Sequence, residues 1–146
     1  MTDNEPAILK LNQLVAMALV AATAIAIPYA YLLWDEARDH GEPFWHPNVI
    51  VLLGAPFIGF GAAALLIWLS GRRLPQKVFF SWALIAFAGS FIALVAVLIY
   101  FYFTDGLNLT WKRQLWNFGL TWLGVGAYSS LFTAIYYYTL IRRRPT

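Results

Sequence analysis

Not one of the chain's 146 residues is cysteine. Disulfides, thiolate metal sites and cysteine nucleophiles are therefore excluded. Charge is scarce as well: Asp, Glu, Lys and Arg together make up 12% of the sequence, against roughly 25% in a soluble domain. With 61% hydrophobic residues, the chain lacks the polar surface to stay in water, and its class is integral membrane protein. The net charge of +3 is small. Its placement argues topology and gives no reason to expect nucleic acid as a partner.

The shortage of charge is sharpest in four runs that contain no Asp, Glu, Lys, Arg or His: residues 11–34, 47–71, 78–104 and 114–141. A helix crossing a hydrocarbon core of roughly 30 Å needs about 20 residues. Each run is long enough to cross once and too short to cross twice. Lipid offers the backbone no hydrogen-bond partners, so each run should be helical. The expected fold is all-α, with four transmembrane helices in a compact up-down bundle forming a single domain over residues 1–146. Pro28 and Pro56 fall inside helices and should kink them or leave a carbonyl free.

The same absence restricts function. Proton relays, ion-coupled carriers and voltage sensors use ionisable side chains within the membrane. A haem held between two histidines needs His on facing helices. None of these spans carries such a group. No nucleophile motif is present, and the short loops leave no room for a soluble catalytic domain.

Orientation follows from the basic residues. With the N-terminus inside, Lys10, Arg72, Arg73, Lys77 and Arg142–Arg144 are internal, while Arg38, Lys112 and Arg113 are external. Seven against three predicts both termini on the cytoplasmic side of a plasma membrane. Two acids precede the first run, which exceeds a signal-peptide core, so the first helix is expected to be retained. Trp34, Phe44, Trp45, Trp111 and Trp116 then mark the outer interface. Trp68, Phe79, Phe80, Trp82 and Tyr136–Tyr138 mark the inner one, since amphipathic rings favour the headgroup level. Trp122 lies deeper and is expected to serve packing.

Every run also carries small residues four apart, as in Ala18, Ala22, Ala26 and Ala30, or Ala55, Gly59 and Ala63, or Ala86 and Ser90 with Gly89 and Ala93, or Gly126, Ser130 and Ala134. Such stripes let helices approach closely in lipid. Shifting the chain on itself sets Asp35 on Asp105, Leu53-Gly54 on Leu123-Gly124, and Arg72-Arg73-x-Pro75 on Arg142-Arg143-x-Pro145. Either a doubled two-helix hairpin or the similarity of stop-transfer ends produces such a match.

Two constellations are candidates for chemistry. The first is DEARDHGEPFWHP at residues 35–47, which holds both histidines and four of the seven carboxylates. Were the first helix to continue past Trp34, Glu36, Asp39 and His40 would share a face at i, i+3 and i+4. His46 would complete a zinc-like set beyond the Gly41–Pro43 turn. The plainer reading is a wet loop into which charge excluded from the spans has collected, with Pro47 in the first turn of the next helix. Its excess of acids suits docking of a basic partner.

The second constellation is the polar content of the fourth run, where Asn117, Thr121 and Tyr128 fall on one side of a helix. Hydrogen bonding between helices is the structural explanation. A lining for a pore, or a seat for a quinone, pigment or lipid, is the functional one.

Three functions are therefore weighed. The first is a non-catalytic accessory subunit of a larger membrane complex, respiratory or photosynthetic in setting, with other membrane subunits and lipids as partners. The second is a small homo-oligomeric channel or facilitator with a neutral polar lining. The third is a metal-dependent membrane enzyme using Glu36, Asp39, His40 and His46.

Overall fold

The computed structural model describes residues 10–41, 43–70, 81–105 and 111–141. Every element in them is helical: α1 (Leu11–His40), α2 (Pro47–Leu69), α3 (Ser81–Asp105) and α4 (Trp111–Tyr136), which runs into a π-helical turn at Tyr137–Ile141. All four α-helices are long and apolar enough to cross a membrane.

Local chemistry sets the ends. At the start of α1 the Lys10 backbone N–H donates to the Gln13 side chain at 2.9 Å, one of the helix-start donors that the helix itself leaves unpaired. The helix runs on past Trp34, the end of the uncharged run, because charge does not stop a helix in water. It stops at Gly41, whose φ of 65° is a left-handed conformation that glycine adopts at little cost. Pro47 occupies the first position of α2, where its missing N–H costs nothing. At the other end of α2 the Ser70 N–H bonds the Leu66 carbonyl at 2.9 Å. The Ser70 hydroxyl bonds the Ile67 carbonyl at 2.8 Å. α4 begins at Trp111, ahead of the uncharged run that opens at residue 114. Residues 78–80, expected in the third span, lie outside the described residues.

α1 packs on α2, α2 on α3, α3 on α4, and α4 returns to α1. The core is gathered at one end. Leu14, Met17, Ala18, Ala21 and Ala22 of α1 meet Phe60, Ala64 and Ile67 of α2, Ile85 of α3 and Tyr137. These residues come from the beginnings of α1 and α3, the second half of α2 and the turn that follows α4. Beyond them α1 is largely uncovered: Ile27, Tyr31 and Leu32 are each more than 60% exposed, on either side of Pro28.

α2 and α3 approach each other closely. A Cβ on Gly59 would lie 2.6 Å from the Ala93 Cβ and from the Gly89 carbonyl oxygen. Gly89 in turn lies directly against the Phe60 ring, and Phe60 is fully buried. Gly126 gives α4 a similar approach to α3, with the Phe87 ring 2.5 Å from where its Cβ would be. The small-residue stripes are used unequally. Ala55, Gly59 and Ala63 are buried together, but on α1 only Ala18 and Ala22 are, and Ala26 and Ala30 are half-exposed. On α4 the buried line is Gly126, Ser129 and Thr133, continued by Tyr137 in the π-helical turn, and Ser130 and Ala134 lie beside it, half-buried.

Gly59→Val should therefore force α2 and α3 apart. Overpacking a tight contact costs about 1–3 kcal/mol, so the variant should melt at a clearly lower temperature in detergent. Gly61→Val is the control, because nothing lies within 4 Å of a Cβ there. Equal melting temperatures for the two variants would refute the close contact.

Candidate functional site

The continuation of α1 to His40 does set Glu36, Asp39 and His40 on successive turns of one helix, and all three are exposed. His40 bonds its own helix. Its Nδ1 lies 2.9 Å from the Glu36 carbonyl oxygen, so Nδ1 carries the hydrogen and donates to one of the last carbonyls of α1. His46 performs the matching task at the start of α2: its Nδ1 accepts the Asn48 backbone N–H at 3.4 Å, a long helix-capping bond. The two histidines thus each serve a helix end. Among the described residues, no three His, Asp or Glu side chains form a group able to hold a metal ion.

The other described charged residues of this stretch lie on the last turns of α1 and are largely exposed. Arg38 lies 3.8 Å from Asp35 in an ion pair with both side chains substantially in solvent, and such pairs contribute little to stability. The Arg38 guanidinium also sits 5.7 Å from the centre of the Trp34 ring, within the range of a cation–π contact. Glu36 and Asp39 remain outward-facing carboxylates. Glu42 lies outside the described residues.

In α4 the polar residues separate into two sets. Ser129 and Ser130 donate to the carbonyls of Gly126 and Ala127, at 3.2 and 2.8 Å. Thr139 donates to Ile135 at 2.6 Å. Thr133, fully buried, lies 3.0 Å from the Ser130 carbonyl and 3.4 Å from that of Trp82 on α3. These hydroxyls are satisfied without water. Trp122 belongs with them. Its Nε1 donates to the Phe87 carbonyl at 2.9 Å, and its ring meets Phe87 and Phe91 edge-on, with centroids 6.0 and 5.6 Å away. Phe118 joins through Phe91 at 5.5 Å. The deep tryptophan is thus a packing residue whose polar tip finds a partner.

Asn117, Thr121 and Tyr128 form the other set. All three are exposed, on the side of α4 roughly opposite the buried line through Gly126, Ser129 and Thr133. The Tyr128 ring rests against Phe132 at 5.1 Å. Among the described residues, they line no interior space of a single chain.

One polar contact is hard to foresee from the sequence. The Tyr100 hydroxyl donates to the Asn48 Oδ1 at 2.9 Å and ties the end of α3 to the first turn of α2, away from the buried core. An Asn in a first helical turn and a Tyr near an opposing helix end are compatible with it, but no local pattern pairs them.

Compared with protein-family models, curated proteins and solved structures, the chain matches none of them.

The Tyr100–Asn48 bond gives a clean test of the pairing of α2 with α3. Tyr100→Phe and Asn48→Ala should each lower stability in detergent, and the double variant should lose less than the sum. The coupling expected for one such bond between apolar helices is about 0.6 kcal/mol. Strict additivity in thermal or denaturant unfolding would show that the contact is not made.

Proposed function

We propose that the chain is a multi-pass membrane protein, a four-helix up-down bundle, that acts as a non-catalytic accessory subunit of a larger membrane assembly. The observation that carries this reading is the uneven covering of its helices. Buried side chains crowd one end, while the outer part of α1 presents Ile27, Tyr29, Tyr31, Leu32 and Trp34. Phe103 and Trp116 are exposed as well. Broad apolar and aromatic faces of this kind suit contact with other membrane helices, lipids or an aromatic pigment or quinone. The uncharged spans support a structural rather than a charge-moving role. The exposed carboxylates Glu36 and Asp39 suit a basic patch on a neighbour, where charge complementarity steers encounter more than it adds affinity. The setting that this composition suits is a respiratory or photosynthetic assembly.

A second reading, a homo-oligomeric channel, is favoured by the outward placement of Asn117, Thr121 and Tyr128. A neutral path would have to form between copies and not within one.

Gentle solubilisation of native membranes followed by native mass analysis tests the first reading. Retention of larger, different membrane subunits is the expected result, and the absence of any other protein from every species that holds this chain would overturn it. Flux in proteoliposomes of the purified chain tests the second. The channel reading requires solute flux that Asn117→Leu abolishes, and the accessory role predicts none.

A further inference from the structure

The outward side of α4 has a repeat that its lipid-facing counterparts on the other helices do not combine with polarity. Asn117, Thr121, Gly124, Tyr128, Leu131 and Ile135 follow one another at alternating spacings of four and three, and every one of them is exposed. Alternating four and three is the heptad spacing that keeps one seam of a helix turned toward a parallel partner. At 1.5 Å per residue the seam is about 27 Å long, close to the roughly 30 Å thickness of a hydrocarbon core. It is no water path along its whole length, because its inner part is Leu131 and Ile135.

Three of its members, Asn117, Thr121 and Tyr128, carry hydrogen-bonding groups. The Asn117 amide and the Thr121 hydroxyl have no partner among the described residues. Ser129, Ser130, Thr133 and Thr139 of the same helix all bond back to a preceding carbonyl. Asn117 follows the interfacial Trp116 and lies near the headgroup level, whereas Thr121, about 6 Å deeper at 1.5 Å per residue, is where a hydroxyl without a partner is costly in an apolar medium.

We propose that this face is the seam of a parallel α4–α4 pairing with a second copy of the chain. Copies inserted in one orientation are related by a two-fold axis along the membrane normal, and such an axis sets each residue against itself. The sequence fits that condition level by level. An amide is donor and acceptor at once, so Asn117 satisfies its own copy. Thr121 does the same through its hydroxyl. Gly124 lets the two backbones approach between Thr121 and Tyr128. A partner of different sequence would have to bring its own complementary groups, whereas a second copy needs nothing that this chain lacks. The inference rests on the membrane placement proposed above and is independent of the accessory role.

The cysteine-free sequence makes the test direct. Single-cysteine variants of the full chain are oxidised in membranes after alkaline washing, so a chain that is not inserted is recognised by its loss from the pellet before any cross-link is read. Thr121→Cys, Gly124→Cys, Tyr128→Cys and Leu131→Cys should form disulfide-linked dimers. Trp116→Cys and Leu123→Cys, exposed on another side of α4, and Leu98→Cys on α3 should not. Asn117→Leu should weaken the dimer by about 3- to 30-fold in a dilution series in liposomes, the factor that corresponds to one interhelical hydrogen bond. Absence of dimers at the seam positions, equal yields at seam and control positions, or cross-links only to a different protein would each overturn the pairing.

Discussion

The contact on which the rest of the arrangement depends is the crossing of α2 and α3 at Gly59 and Gly89. With no side chain at either position, the Phe60 ring lies on the α3 backbone and Ala93 fits against α2. Once α2 and α3 are joined there, the positions of the others follow. α1 covers the Phe60 side of α2 with Met17, Ala18, Ala21 and Ala22. α4 takes the Phe87 side of α3 through Gly126, with Trp122 filling the space between Phe87 and Phe91. Packing of this closeness can join helices even in lipid, where hiding apolar surface from water contributes nothing. A single methyl group at Gly59 would prise apart the pair on which two further helices are built.

Much of the fold is legible in the sequence because one physical constraint writes it plainly. A backbone that must be helical where charge is absent gives the number and approximate bounds of the helices, and Gly41 and Pro47 mark their ends by their own conformational limits. What the sequence does not say is how each helix is turned. The stripe Gly126, Ser130 and Ala134 looks equivalent to Ala55, Gly59 and Ala63. Yet α4 buries Ser129 and Thr133 and leaves Ser130 and Ala134 half-covered. The direction of a face depends on the partner, and in a helix apolar all round no local pattern reveals it.

The candidate sites divide in the same way. Spacing alone puts Glu36, Asp39 and His40 on one helix face, which the continuation of α1 provides. It does not tell that the His40 and His46 rings are engaged by helix ends, because capping depends on where each helix starts and stops. For α4, spacing correctly gathers Asn117, Thr121 and Tyr128 on one side. Whether that side faces inward or outward is decided by Gly126 and Trp122, which turn the opposite surface toward α3.

Tyr137, at the end of the last helix, has a bearing on how the molecule comes to be. It completes the same core as Leu14, Met17 and Ala18 near the start of the first. During synthesis the early residues of α1 can be partly covered by α2, but the cluster cannot close until Tyr137 has been made. Assembly of this cluster is thus a matter of waiting: α1 has one side incompletely covered until the turn after α4 arrives. A chain cut short before Tyr137 would retain all the close α2–α3 packing and yet leave its core unfinished.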